Sequence, residues 1–298
     1  MIMAVGTVLV STTSCKDDKP VTQAQTINDI VNTNADFTIL KAAVSKAGLN
    51  AALSTGTLTV FAPDDAAFAA SGVTLATINS LSAADLANIL TYHVVAANVT
   101  AANVPASDTV KSLQGKNLYA SKNANGVFVN GSRVKTADIA AANGTIHVIS
   151  SMLTPPTQTI AEIATATPEL SLLLTAVVKA NLAGAVSSAG KYTVFAPTNA
   201  AFAAAGFPDA ASINAAPDAT IAAVVSAHVL GTNVFASDLI NAATVSTIAS
   251  GVTLTVGTSP ASVKITGSAS PVSNIIVPSG VNIIATNGVV HLIDRVLL

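Results

Sequence analysis

An α+β fold written twice in tandem is the architecture this chain predicts, on three observations. Thr59-Val60-Phe61-Ala62-Pro63-Asp64-Asp65-Ala66-Ala67-Phe68 recurs as Thr193-Val194-Phe195-Ala196-Pro197-Thr198-Asn199-Ala200-Ala201-Phe202, at an offset of 134. Asn143-Gly144-Thr145-Ile146-His147-Val148-Ile149 recurs as Asn287-Gly288-Val289-Val290-His291-Leu292-Ile293 at offset 144, with His93 matching His228 at 135 between them. Within each copy helical periodicity comes first and strand alternation later, the order of an α+β domain rather than a doubly wound sheet. The second copy therefore gains nine residues between its middle and its end, an insertion expected in loops.

Taken in chain order, Phe37, Leu40, Val44 and Ala47 share a helical face that stops near Gly48, and Leu170, Leu173, Val177 and Ala180 repeat the spacing. Thr57 to Phe61 alternates and is rich in β-formers, so it reads as a strand ending at Pro63. Asp64 and Thr198 are placed to cap the Ala-rich helix that follows, each oxygen accepting a backbone N–H. Asp85–His93 and Thr220–His228 read as a further helix. Val127-Phe128-Val129, the turn Asn130-Gly131 and Arg133–Thr136 form a hairpin pattern, and Val252–Val256 and Val263–Thr266 alternate in the second copy. Asn143-Gly144 and Asn287-Gly288 are hairpin turns into the last strand of each copy. Thr154-Pro155-Pro156 separates the copies, because two consecutive prolines continue neither a helix nor a central strand. The expected organisation is a leader at 1–15, a tether at 16–21, domains at 22–153 and 157–298, and a linker at 154–156.

Composition narrows the function. The chain of 298 residues is 51% hydrophobic with a mean hydropathy of +0.61, so ample surface is available to bury. Only 9% of residues are charged, the net charge is -2, and no basic block occurs, which opposes nucleic-acid binding. Trp is absent and aromatics are 4%, a poor match to the aromatic girdles of an outer-membrane barrel. Residues 1–15 are apolar and end in small residues and the single cysteine, Cys15. That is secretory-signal grammar, and a cysteine at the switch to Lys16-Asp17-Asp18-Lys19-Pro20 resembles a bacterial lipoprotein signal with lipidation of Cys15. The acidic pair after the cysteine also resembles the surface-export signal of Bacteroidetes lipoproteins. No Lys or Arg precedes the apolar run, and Thr12 stands where the lipoprotein motif usually has Leu. The expected location is extracytoplasmic, anchored to the outer membrane through Cys15 and facing the cell surface.

The Thr-Val-Phe-Ala-Pro segment, the mid-domain Tyr92-His93 and the terminal Asn-Gly-x-x-His segment together resemble the fasciclin domain, in order and in both copies. Val129-Asn130-Gly131 and Ala137-Asp138-Ile139 resemble that family's approach to its last strand. The resemblance implies a β-wedge with helices packed against it, and a non-catalytic, extracytoplasmic role in adhesion or cell-surface contact. It singles out Phe61, Pro63, Phe68, His147, Phe195, Pro197, Phe202, His228 and His291 as structural motif residues, and Tyr92 and His93, with Asp64 and Asp65, as candidate adhesion contacts. Ala227 replaces Tyr92 in the second copy, so the first copy is the stronger candidate for contact.

Chemistry beyond binding finds little support. The four histidines are far apart in sequence and lack a second cysteine, so a metal site would need distant carboxylates. His147 and His291 are expected in apolar strands with ring nitrogens bonded to backbone, and His93 and His228 at helix ends. No Gly-x-Ser-x-Gly elbow and no Gly-x-Gly-x-x-Gly loop occurs. Asp64 and Asp65 would serve as a carboxylate pair, yet their counterparts are Thr198 and Asn199, an exchange that keeps capping and destroys acid–base work. The expectation is a module without enzymatic activity, cofactor or metal, contacting matrix or cell-surface protein, polysaccharide or neighbouring cells. The competing expectation is a passive component of an envelope or biofilm layer, and so few charges also suit weak self-association.

Overall fold

The computed structural model describes residues 24–104, 107–188, 190–259, 262–267, 272–276 and 280–297. Cys15 and the tether at 16–21 lie outside the described residues. In the first copy the helices are α1 (Ile27–Thr33), α2 (Thr38–Lys46), α3 (Asp65–Ala70), α4 (Leu75–Ser80) and α5 (Ala83–Tyr92). Its strands are β1 (Leu58–Pro63), β2 (Val94–Val95), β3 (Ser107–Lys111), β4 (Asn117–Asn123), β5 (Gly126–Val129), β6 (Ser132–Ala141) and β7 (Gly144–Ile149). The second copy has α6 (Ile160–Ala166), α7 (Ser171–Lys179), α8 (Ala183–Ser187), α9 (Asn199–Ala204), α10 (Ala210–Ala215) and α11 (Asp218–Ala227). Its strands are β8 (Tyr192–Pro197), β9 (Val229–Leu230), β10 (Thr244–Ser246), β11 (Thr253–Ser259), β12 (Ser262–Thr266), β13 (Ser273–Asn274), β14 (Ile283–Ala285) and β15 (Gly288–Ile293).

Helices early and strands late is the observed order, with one exception that shapes the fold. The early strand β1 pairs in parallel with the last strand β7, as β8 does with β15, so each copy closes on itself. The first copy forms one sheet in the order β2-β1-β7-β6-β5-β4-β3. All six residues of β1 are buried, because the strand has a core on each face. Leu58, Val60 and Ala62 pack with Phe37, Leu40, Val44 and Phe68 under the helices. Phe61 points the other way, into a second core with Tyr92, Leu118, Val129 and Ile149 inside the bend of the sheet. The second copy repeats both cores, Val194 and Ala196 in one and Phe195 with Leu254, Ile265 and Ile293 in the other.

The close parallel pairing explains the glycines of the Asn-Gly turns. A Cβ on Gly144 would sit 1.8 Å from the Leu58 carbonyl oxygen, and one on Gly288 would sit 2.1 Å from that of Tyr192. The asparagines before them do more than turn the chain. Asn143 accepts from Ile27 N–H (2.9 Å) and donates to the Leu53 carbonyl (3.0 Å), bolting α1 to the last strand. Asn287 accepts from Ile160 N–H (2.9 Å) and donates to the Val186 carbonyl (2.8 Å). Asn130-Gly131 is a two-residue turn with φ of 49° and 77°, the twist that suits a tight hairpin.

Three of the nine extra residues of the second copy fall where β6 is split, and the other six lie before it. Val134 pairs with Ile149 and its counterpart Ile275 bridges Ile293 at offset 141, whereas Ile139 and Ile283 stand at offset 144. The ten residues of β6 thus become the short strands β13 and β14.

Candidate functional site: the junction between the two copies

The aromatic, proline and histidine residues marked by the sequence motifs are interior, while Asp64 and Asp65 are half-buried. Tyr92 and His93 are 0% and 2% exposed, which corrects the expectation that they contact a partner. The Tyr92 hydroxyl donates to the Asn117 carbonyl (2.9 Å) and accepts from Asn130 (2.8 Å), and burial raises its pKa well above the ordinary tyrosine value. Asn130 in turn accepts from Tyr119 N–H (2.8 Å), so Tyr92 fixes the backbone of β4 from behind.

All four histidines are backbone staples. His93 pairs Nδ1 with the Ile89 carbonyl (2.9 Å) and accepts at Nε2 from Leu153 N–H (2.9 Å). His228 repeats this with Val224 (2.7 Å) and Leu297 (2.8 Å), so in both copies the helix end is tied to the chain after the last strand. His147 accepts at Nδ1 from Asp138 N–H (3.3 Å) and pairs Nε2 with the Val99 carbonyl (2.8 Å). His291 does the same with Asn282 (3.2 Å) and Val234 (2.9 Å). Each ring therefore carries its proton on one nitrogen and offers the other to an amide, the pattern of a neutral imidazole. Burial pushes His93, His228 and His291 down to about 4, against the opposing pull of the carbonyl bond. His147 and His291 also stack on Phe61 and Phe195, at 5.5 and 5.6 Å between ring centres.

Asp64 and Asp65 hold helix ends. Asp64 caps α3 by accepting from Ala67 N–H (2.7 Å) and pairs with Lys135 at 2.7 Å; Thr198 caps α9 through Ala201 N–H (3.3 Å). Asp65 accepts from Ile39 N–H (2.8 Å) at the start of α2, and Asn199 accepts from Leu172 N–H (3.0 Å) at the start of α7. The Asp-to-Asn exchange is harmless to this role, since an amide oxygen accepts as a carboxylate does. Phe68 and Phe202 anchor α3 and α9 in the helix-side cores, and Pro63 and Pro197 end β1 and β8.

The two copies meet through residues that the motifs do not mark. Tyr119 on β4 packs on Phe235 with ring centres 5.8 Å apart, and Val289 and Ile284 complete a small apolar cluster. Around it, Ser121 donates to Asp238 (2.5 Å) and Asn123 donates to the Ser237 carbonyl (2.8 Å). Asp238 is itself held by Phe235 N–H (3.0 Å). Gly131 sits so close that a Cβ there would reach Asn282 at 2.8 Å and Phe235 at 3.1 Å. Pro155 and Pro156 are buried in the linker, and Lys116 donates to the Pro156 carbonyl. Beside this seam opens a cleft of about 410 Å³, lined by Asn130–Ser132, the chain at 151–158, Ile163 and Asn282–Ile284.

A signal for the seam was present as differences between the copies. Phe235, Val289 and Ile284 stand where the first copy has Thr100, Thr145 and Ala140. Tyr119 and Phe128 stand where the second has Thr255 and Lys264, by the matched registers of β4–β5 and β11–β12. Apolar residues thus occupy the docking face of each copy that is used, and polar or small ones its unused counterpart. The same comparison changes the partner of one amide. Asn98 accepts from the Thr145 hydroxyl (2.6 Å); its counterpart Asn233 has Val289 in the place of that threonine and lies instead by the Tyr119 hydroxyl of the first copy.

Comparison with known proteins agrees with this architecture. Residues 35–155 and 168–298 each match the Fasciclin domain family. The chain is 40% identical over 134 residues to transforming growth factor-beta-induced protein ig-h3 of Sus scrofa, across 44% of this chain and 19% of that protein. It is 43% identical over 138 residues to Protein sll1483 of Synechocystis sp., across 45% of this chain and 75% of that protein. Periostin of Homo sapiens matches at 30% over 183 residues, across 61% of this chain and 21% of periostin. The chain thus spans only about a fifth of the length of ig-h3 and periostin. The structure of a FAS1 domain pair from the insect cell adhesion molecule Fasciclin I aligns over 87% of this chain and 95% of that one, at 18% identity and a TM-score of 0.43. With both copies matched in order, the chain belongs to the fasciclin family, as a tandem pair of its domains.

Proposed function

We propose that this chain is a non-catalytic, extracytoplasmic binding module, held at the outer membrane by lipid on Cys15, whose paired domains contact matrix, polysaccharide or neighbouring cells. The observation that carries the reading is the seam. A matched apolar contact, two cross-domain hydrogen bonds and a buried Pro-Pro linker hold the two copies together as a pair. Linked sites gain avidity through effective concentration when their spacing is held. The side chains best suited to acid–base work, the four histidines, have both ring nitrogens engaged with backbone. Passive assembly into a layer is less well supported, because head-to-tail addition would reuse the docking faces and their counterparts are polar.

The test is binding of the purified chain to intact producer cells. Saturable binding supports adhesion, whereas concentration-dependent self-association without cell binding would overturn it. The anchor is tested separately: Cys15→Ser should move the protein out of the membrane fraction, and unchanged retention would remove that part of the proposal.

A further inference from the structure

Charge in this chain is sparse but unevenly placed. Residues 109–137 carry Lys111, Lys116, Lys122, Arg133 and Lys135 and no Asp or Glu, whereas the corresponding stretch of the second copy, 244–281, carries Lys264 alone. The five are scattered along the sequence, yet β3, β4, β6 and the turn before β4 bring them to one sheet, whose carboxylates are Asp108 on β3 and Asp138 on β6. Two are accounted for: Lys135 pairs with Asp64 at 2.7 Å, and Lys122, on the face opposite Tyr119, donates to the Ala101 carbonyl (3.2 Å).

Lys111 and Lys116 stand differently. They line a groove of about 210 Å³ at the seam, together with Asn117 and Tyr119 from the first copy and Thr286 from the second. Strand register puts Lys111 opposite Asn117, on the Tyr119 face. Their ammonium groups touch only carbonyl oxygens, those of Gly115 and Pro156, and among the described residues no carboxylate lies within 4.0 Å of either. An ammonium has three donors, so each retains capacity for an anion. Burial raises the Tyr119 pKa, keeping its hydroxyl protonated at neutral pH. The groove thus offers two cations and several neutral polar groups, and Thr286 joins them only because the copies are docked.

We propose that this groove binds the anionic groups of an acidic polysaccharide, one carboxylate or sulfate between Lys111 and Lys116 with the sugar hydroxyls on Asn117, Tyr119 and Thr286. The proposal rests on the adhesion reading and names its ligand class. Two cations amid amide and hydroxyl groups match an anionic group carried on a hydroxyl-rich chain. Single-stranded nucleic acid asks for free aromatic faces, and Tyr119 is already packed on Phe235.

The experiment measures binding of the full chain to alginate, dextran sulfate, neutral dextran, polyglutamate and single-stranded DNA. Expected is binding to alginate or dextran sulfate but not dextran, weakened at least tenfold by Lys111→Gln with Lys116→Gln and unchanged by Lys264→Gln, with a salt slope of about one released counterion. The first two polymers distinguish carboxylate from sulfate as the preferred group. No binding to either, equal binding by the double variant, or equal or tighter binding to polyglutamate or DNA would overturn the proposal. Circular dichroism of the double variant establishes that its fold is intact. Cell binding measured in parallel separates the two readings: cells bound without alginate or dextran sulfate defeats this inference alone, and polysaccharide bound without cells defeats the adhesion reading alone.

Discussion

The first and second copies share their interior and differ at their faces. Thr59 and Thr193 make the same pair of bonds, donating to a carbonyl (2.6 and 2.7 Å) and accepting from an amide 2.8 Å away. The histidine staples, the Asn bolts and the Phe–His stacks also recur position by position. The faces have diverged: Thr100 became Phe235, Thr145 became Val289, and Tyr119 and Phe128 became Thr255 and Lys264. Shared residues therefore report what each domain needs to fold, and differing residues report what the pair needs to dock. A motif common to both copies is a poor guide to a binding surface.

That comparison can be broken first at its shared glycines. Gly144→Ala and Gly288→Ala should each cost more than about 4 kcal/mol, because a Cβ would overlap a backbone carbonyl that cannot retreat without opening the parallel pair. Loss of the folded form of the affected copy in thermal melts is the expected outcome, and a stable variant would show that the strands separate more readily than their register implies.

Acid tests the staples. His93, His228 and His291 titrate near 4 when folded and near 6.5 when unfolded, so the unfolded chain takes up protons first. Their stabilising contribution is fully present above about pH 6.5 and is lost as the pH falls through about 4, at about 3 kcal/mol for each. Urea melts across that range should show the loss, and His291→Gln should flatten the slope.

Phe235→Thr restores the residue of the first copy and should loosen the seam by about 2 kcal/mol while leaving each domain folded. Calorimetry should then resolve two transitions for the variant against one coupled transition for the parent; identical traces would deny the seam its role. Smaller still is the exchange beside Asn233. Val289→Thr should give Asn233 the partner that Asn98 has, near-neutral or stabilising by about 1 kcal/mol, and Thr145→Val should cost about the same. The least effect is expected from Asp65→Asn, within about 0.5 kcal/mol, since Asn199 already does that work.

Much of this was legible in the sequence. The repeat set the domain count, the periodicity of Phe37–Ala47 and Leu170–Ala180 set the helical faces, and the Asp64-to-Thr198 exchange identified the caps. His93, expected as a contact, is interior, while His147 and His291 read correctly as strand residues satisfied by backbone. Tyr92 did not: a tyrosine beside a histidine near a helix end carries no sign of burial, and its hydroxyl finds Asn117 and Asn130 only across the bend of the sheet. Nor could local pattern join Tyr119 to Phe235, residues whose contact depends on the relative placement of two folded domains.

The sequence by itself determined the local terms: where helices cap, where turns need a positive φ, which strand faces are apolar, and that one unit is repeated. Those are set within a few residues by backbone sterics and hydrophobic period. Tertiary structure alone decided the parallel closure of β1 on β7, the burial of the motif residues and the pairing of one domain's sheet with the other's loop. Each of these brings together groups far apart in the chain, and their free energy depends on surfaces that exist only once both domains have folded.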